Sequence, residues 1–170
     1  MKIECLKEKL AKAISKVEKI TGKNLSLPVL SCIYLQVDKN TLVLKATNLD
    51  LGIEYAIPVK TESPGVLAVP GNILASTISN LYDNKNVHLE EKDGTLVVST
   101  PSTTSVIKTL NHEDFPTIPA PEKEKHFSIN TQEFLQGLKS VWYSSATSSM
   151  KPELSSVYIY PEEESIVFVA

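Results

Sequence analysis

Apolar residues in the first 60 positions follow a helical period and then an alternating one, which predicts an amphipathic helix followed by strands. After a short strand at residues 2–4, apolar residues recur at helical spacing from Leu6 to about Thr21, and Gly22 is typical of a helix C-terminus. Strands are then predicted at residues 33–37, 42–46 and 52–57, with the polar turn Asp38-Lys39-Asn40 between the first two.

The same order of elements returns between residues 66 and 110. A strand at residues 66–69 precedes a helix from about Gly71 to Leu81, whose apolar line is Leu74, Thr77, Ile78 and Leu81. Further strands are predicted at residues 87–91, 96–100 and 104–110. The pattern therefore predicts an α+β fold of two strand–helix–strand–strand–strand units, with both helices on one face of antiparallel sheets.

Two similar octapeptides occur in the chain, 124 positions apart. Residues 28–35 read Pro-Val-Leu-Ser-Cys-Ile-Tyr-Leu, and residues 152–159 read Pro-Glu-Leu-Ser-Ser-Val-Tyr-Ile. Apolar residues keep that register on both sides, as in the pairs Leu10 and Phe134, Ile14 and Leu138, Val17 and Val141, Leu42 and Ile166, and Leu44 and Phe168. We interpret this as a duplicated structural unit.

The second copy predicts a strand at residues 126–129, a helix capped by Thr131, and strands at residues 156–160 and 166–170. The buried stripe of that helix is predicted to be Phe134, Leu138, Val141 and Trp142. Because the chain ends inside an apolar strand, we expect a fragment of a longer protein. The alternative is a short protein whose last strand is covered by a neighbour.

Composition indicates an ordinary soluble protein, with 42% hydrophobic and 22% charged residues and no apolar run of the length that a membrane span needs. Residues 1–20 lack a signal-peptide cleavage site. Cys5 and Cys32 are predicted to be core residues in a reducing environment, so we expect a cytoplasmic protein without a membrane partner.

Catalytic motifs are missing from the sequence. It contains neither a phosphate-binding loop nor a nucleophile elbow, and His88, His112 and His126 lie far apart. Glu113 and Asp114 have no third metal ligand nearby in the sequence. We therefore predict a non-catalytic protein without cofactor or metal.

Lysines collect on one flank of the first predicted helix. They are Lys9, Lys12, Lys16 and Lys19, and Lys23 follows just beyond the helix. One interpretation is a solvated helix face, and the other is a local basic surface for nucleic acid. The net charge of −3 argues against a protein that coats itself in nucleic acid but allows such a local surface.

Several segments together resemble the beta subunit of bacterial DNA polymerase III, the sliding clamp. They are Leu-Pro-Val-Leu at 27–30 with the strand at 33–37, Ala-Thr-Asn-Leu-Asp-Leu at 46–51, Val-Pro-Gly at 69–71, Glu-Asp-Phe-Pro-Thr-Ile-Pro at 113–119, and Val-Phe-Val-Ala at 167–170. The resemblance implies the DNA-clamp (processivity) fold, with three similar domains per chain and two chains in a head-to-tail ring around duplex DNA. It implies that residues 1–119 are domain 1, 120–124 a linker and 125–170 the first half of domain 2, and that domain 3 is absent.

The resemblance also assigns functional residues. With the resemblance, DNA contact becomes the favoured interpretation of the helix lysines. The resemblance implies four further DNA-binding positions: Asn24, Lys139, Ser148 and Lys151. Many relatives carry an arginine where this chain has Asn24, and Lys23 beside it is a candidate substitute. Of the cleft that binds partner peptides, only Leu154 is matched.

The implied partners are double-stranded DNA, the catalytic subunit of DNA polymerase III, a clamp-loader ATPase and a second copy of the full-length chain. The alternative is a truncated clamp that acts only as a protein–protein interaction module.

Overall fold

The chain forms two compact units, which are described separately. In this computed structural model, the described residues are 1–22, 26–82, 85–119, 128–147, 151–163 and 165–170. The first unit comprises Met1–Pro119 and the second Ala120–Ala170.

The first unit has the predicted order of strand, helix and strands, repeated once. Its first half consists of β1 (Lys2–Leu6), α1 (Lys7–Val17), β2 (Cys32–Asp38), β3 (Thr41–Thr47), β4 (Gly52–Pro58) and β5 (Lys60–Ser63). Its second half consists of β6 (Gly65–Pro70), α2 (Gly71–Ser79), β7 (Asn86–Lys92), β8 (Thr95–Ser99) and β9 (Thr104–Lys108). Strand β5 was not predicted.

Two antiparallel sheets hold these strands, and each sheet contains strands of both halves. The four-stranded sheet has the order β4-β3-β2-β6, and the five-stranded sheet has the order β5-β1-β7-β8-β9. The halves thus exchange their first strands, because β6 pairs with β2 and β1 pairs with β7. This exchange makes one folding unit of the two halves.

Helices α1 and α2 pack against each other, and α1 also packs on β3 and β4. The buried residues of α1 are Leu10, Ala13, Ile14 and Val17, and those of α2 include Leu74 and Ile78. A single hydrophobic cluster joins them to core residues of both sheets. The core therefore buries the apolar positions from which these helices are predicted. Leu6 is an exception, since it lies in β1 and is 48% exposed.

The end of the first helix differs from the prediction. Helix α1 stops at Val17 and a 3-10 turn spans Glu18–Ile20, whose cap is the extended residue Thr21. Gly22 does not form a left-handed cap. Its N–H donates to the Leu30 carbonyl at 2.8 Å, and a Cβ there would lie 3.3 Å from the Asn48 Cα, so the glycine allows two segments to approach closely.

The second unit contains α3 (Thr131–Val141), β10 (Tyr158–Glu162) and β11 (Ser165–Val169), and the two strands form a hairpin. Helix α3 begins and ends 124 positions after α1, and the 3-10 turn Trp142–Ser144 follows it at the same offset as Glu18–Ile20 follows α1. The duplication predicted from the sequence is thereby confirmed.

Three predictions about the second unit need correction. The N-cap is Asn130, whose side chain accepts a hydrogen bond from the Gln132 N–H, because Thr131 is already helical. No residue of α3 is fully buried, and Trp142, predicted to lie in the buried stripe, is 61% exposed. Of the strand predicted at 126–129, residues 128–129 are not in a strand and residues 126–127 lie outside the described residues, as does the predicted linker 120–124.

Candidate nucleic-acid interface

The four predicted lysines of the first helix lie on its solvent side. Lys9, Lys12 and Lys16 belong to α1, and Lys19 belongs to the 3-10 turn that continues it. All four side chains are exposed. Residues three and four apart are neighbours on a helix surface, so Lys12, Lys16 and Lys19 follow one another along one flank. We call these four residues the α1 lysine row.

Most of this row has no acidic partner in the part of the chain that the structure describes. Lys9, Lys12 and Lys19 make no ion pair there. Other lysines of the first unit are paired, namely Lys2 with Glu62 at 2.8 Å, Lys45 with Glu54 at 3.0 Å, Lys60 with Glu4 at 3.4 Å and Lys92 with Glu90 at 2.8 Å. The row therefore keeps its positive charge available for an anion.

Carboxylates of the five-stranded sheet are satisfied within that sheet. A hydrogen bond from the Asn86 amide lowers the pKa of Glu4, and one from Lys92 lowers the pKa of Glu90. The hydrogen bond to Glu62 raises the pKa of Lys2. These charged groups form local pairs on the sheet, apart from the α1 lysine row.

Among the described residues, Lys16 of the row contacts Tyr55 of β4. The ammonium nitrogen lies 4.7 Å from the centre of the tyrosine ring and 3.5 Å from its hydroxyl oxygen. The contact joins residues 39 positions apart. The sequence pattern does not identify Tyr55 as a neighbour of Lys16, since the alternation of residues 52–57 shows which face of the strand Tyr55 occupies but not which helix residue covers it.

In the second unit, Lys139, a predicted DNA-binding residue, lies on α3 and is exposed. The 124-residue repeat aligns it with Ser15, which is not part of the α1 lysine row. The row itself aligns with residues that are not cationic, namely Glu133, Gln136, Ser140 and Tyr143. Helix α3 therefore carries a weaker basic surface than α1.

Lys151 and Leu154 lie in the turn that precedes β10. Both are exposed, Leu154 by 57%, and the Leu154 carbonyl accepts a hydrogen bond from the Ala146 N–H at 2.8 Å. The aligned residue of the first unit, Leu30, is only 1% exposed. Of the other predicted DNA-binding positions, Lys23, Asn24 and Ser148 lie outside the described residues.

Both cysteines are buried and free. Burial raises the pKa of Cys5 to about 12 and also raises the pKa of Cys32, so both are neutral thiols near pH 7. Among the described residues, no group of three or more histidine, cysteine, aspartate or glutamate side chains could hold a metal ion. None of the described helices is long and apolar enough to cross a membrane.

The proteins to which this chain is similar include beta sliding clamps from several bacteria. A beta sliding clamp of Synechococcus elongatus is 24% identical over 172 residues, a match that covers 100% of this chain and 46% of that protein. The structure of Caulobacter crescentus pol III beta superimposes with a TM-score of 0.89 at 23% identity, covering 97% of this chain and 45% of that one. The Helicobacter pylori beta clamp bound to a DNA ligase peptide gives a TM-score of 0.82 at 25% identity, covering 94% and 44%.

These structural likenesses confirm the predicted DNA-clamp fold, and the chain spans less than half the length of the relatives named above. The sequence model of the family described as "DNA polymerase III beta subunit, N-terminal domain" matches residues 1–119. Since this match includes more than half of the 170 residues, the chain belongs to the DNA polymerase III beta subunit family, the beta sliding clamps.

Proposed function

We propose that this chain is part of a sliding clamp, the non-catalytic processivity factor that encircles duplex DNA and tethers the replicative DNA polymerase III. The observation that carries the proposal is the α1 lysine row, which is exposed and largely without acidic partners among the described residues. Family membership supports it.

The chemistry of the row suits a protein that slides. Lysines contact phosphates without reading bases, so the protein does not stop at particular sequences. Such contacts are weakened by salt, since they release condensed counterions. Retention would then come from the closed ring, which explains how a chain with a net charge of −3 can stay on an anionic polymer.

The proposed domain arrangement has residues 1–119 as domain 1, 120–124 as a linker and 125–170 as the first half of domain 2. The 124-residue spacing of α1 and α3 supports a second domain of the same kind. In the full-length chain, two copies would close head to tail. The ring would work in the cytoplasm, with a clamp-loader ATPase and the catalytic subunit of DNA polymerase III as partners.

The remaining predicted positions belong to the same proposal. Lys23 and Asn24 would add phosphate contacts in the first unit, and Lys139, Ser148 and Lys151 would make phosphate contacts in the second unit. Leu154 would form one wall of a cleft for partner peptides, and its exposure supports that role. A related clamp of Helicobacter pylori has been crystallised with a DNA ligase peptide.

Charge reversal on α1 tests the DNA-binding part of the proposal. The triple variant Lys12→Glu, Lys16→Glu, Lys19→Glu is compared with the control Lys39→Glu, Lys92→Glu, Lys108→Glu, which changes the net charge equally but lies in strands and turns. Binding to a fluorescein-labelled duplex is measured by anisotropy at several low salt concentrations. We expect the α1 triple to lose about tenfold or more in affinity and to show a shallower salt dependence, because up to three phosphate contacts are removed.

The control triple should change affinity much less. The α1 triple should keep the thermal midpoint of the parent chain, and the control triple should stay folded at the assay temperature although Lys92→Glu removes the exposed ion pair with Glu90. Equal losses in the two triples would show that net charge alone decides binding and would contradict the assignment of α1. If the parent chain binds no duplex at low salt, the alternative function is favoured, in which this chain acts only as an interaction module for a complete clamp or its loader.

A further inference from the structure

Tyr55 lies at the edge of the α1 lysine row, on the helix side of β4. Its ring is half-buried and packs against the core beneath α1, in register with Leu44 on β3. Its neighbour Glu54 points to the other face of the sheet, where it pairs with Lys45. The fold therefore fixes the position of the ring, and the hydroxyl at its end lies next to the Lys16 ammonium.

The contact between Lys16 and Tyr55 differs in kind from the ion pairs of the same unit. At 4.7 Å from the ring centre, the ammonium is within the range of a cation–π interaction. A carboxylate partner would cancel the charge of the lysine, as it does for Lys45 and Lys60. An aromatic partner restricts the side chain and leaves its positive charge in place.

The hydroxyl adds a second property. A phenol oxygen can accept a hydrogen bond from the ammonium and still donate its own hydrogen elsewhere. The Lys16 nitrogen lies 3.5 Å from this oxygen, so the hydroxyl hydrogen is free to point towards solvent. An ammonium and a neutral O–H donor thus lie side by side, an arrangement that suits a phosphate with several acceptor oxygens.

We propose that Tyr55 is a positioning residue of the DNA-contacting surface: it holds the Lys16 ammonium over its ring and donates its own O–H to a backbone phosphate. The inference rests on the proposed function of the α1 lysine row and assigns to that surface a residue outside the helix.

The intramolecular contact is tested first, without DNA. In the NMR spectrum of the 170-residue chain, the ε-methylene protons of Lys16 should show an upfield ring-current shift. Tyr55→Phe should retain this shift and Tyr55→Leu should abolish it. An unshifted Lys16 signal in the parent chain would overturn the proposal, because the ring would then not lie beneath the ammonium in solution.

The role in binding is tested with the labelled duplex and a double-mutant cycle. We expect Tyr55→Phe to weaken binding about two- to fivefold through loss of one hydrogen bond to phosphate. Tyr55→Leu should weaken it about two- to fivefold more, since the cation–π contact is lost as well. In the Lys16→Gln background, the difference between Tyr55→Phe and Tyr55→Leu should disappear.

Two results would contradict the inference: Tyr55→Phe binding as tightly as the parent chain, or a difference between the two variants that persists in Lys16→Gln. The latter would mean that the ring acts only through packing. If Tyr55→Leu does not fold, comparison of Tyr55→Phe with the parent still decides the role of the hydroxyl. DNA binding that needs Lys12 and Lys19 but not Tyr55 would overturn this inference alone, whereas no DNA binding by the parent chain would overturn the proposed function as well.

Discussion

At the scale of single residues, the repeat conserves identity better than environment. Leu30 and Leu154 are aligned leucines in matching octapeptides, yet the first is 1% exposed and the second 57%. Leu30 is held against the Gly22 segment by the hydrogen bond between the Gly22 N–H and the Leu30 carbonyl. The burial of the two leucines differs because the first unit has strands of two halves around Leu30, whereas the described part of the second unit contains α3 and one hairpin. The repeat therefore predicts the place of a residue along an element and leaves its burial to the elements that surround it.

Burial of the Cys5 thiol gives a prediction of pH dependence. Its pKa is about 12 in the folded chain, so between about pH 9 and pH 12 the unfolded chain loses this proton while the folded chain keeps it. Stability should therefore fall as pH rises through this range, by at most about 1.4 kcal/mol per pH unit from this group. The measurement is urea unfolding at several alkaline pH values.

The matched variant for this measurement is Cys5→Ala, in which the slope of the unfolding free energy against pH should be shallower than in the parent chain. All other ionisable groups are common to the two proteins, so the difference between the slopes isolates the thiol. Equal slopes would show that Cys5 ionises as readily in the folded chain as in the unfolded one.

At the scale of elements, the turn residues made the hairpins predictable. Lys39 and Asn40 have positive φ values of 42° and 65°, and Asp93 and Gly94 have values of 48° and 71°. Asn, Asp and Gly tolerate this region, which is why the two polar turns were predicted between the correct strands. Strand β5 (Lys60–Ser63) was missed because its four residues, Lys-Thr-Glu-Ser, are all polar, so its alternating burial leaves no hydrophobic signal in the sequence.

Helix α3 contains a glycine that should be sensitive to the smallest substitution. In an exposed helix, Gly→Ala stabilises by about 1 kcal/mol. A Cβ on Gly137, however, would lie 2.5 Å from Cε2 and 2.7 Å from Cδ2 of Phe168, a residue of β11 whose ring also contacts the ring of Phe134 on α3. We expect Gly137→Ala to destabilise the second unit by about 1 kcal/mol or more, because overpacking outweighs helix propensity.

Thermal unfolding followed by the fluorescence of Trp142, the single tryptophan of the chain, reports on this unit. In a Phe168→Leu background the same Gly137→Ala change should become stabilising, since the ring that blocks the Cβ is gone. A higher unfolding midpoint for Gly137→Ala in the parent chain would mean that the phenylalanine ring can move aside at little cost.

At the scale of the whole molecule, the sequence predicted the units of the fold but not how their strands are shared. Local periodicity reports which face of an element is buried, and this was enough for both helices and for the α1 lysine row. The pairing of β1 with β7 and of β6 with β2 joins residues far apart in sequence, which a local pattern does not record. The contact of Lys16 with Tyr55 was missed for the same reason.

The strand exchange predicts that neither half of the first unit folds without the other. A peptide of residues 1–64 would contain β1 to β5 but leave β1 without β7 and β2 without β6. A peptide of residues 65–119 would lack the same partners from the other side.

Circular dichroism should show little cooperative unfolding for either peptide alone. An equimolar mixture should recover the cooperative transition of the intact 1–119 peptide, because unpaired strands and a divided core are completed together. A dispersed NMR spectrum from either peptide by itself would show that this half folds independently. Each half would then have a stable core of its own, and the strand exchange would not be needed for folding.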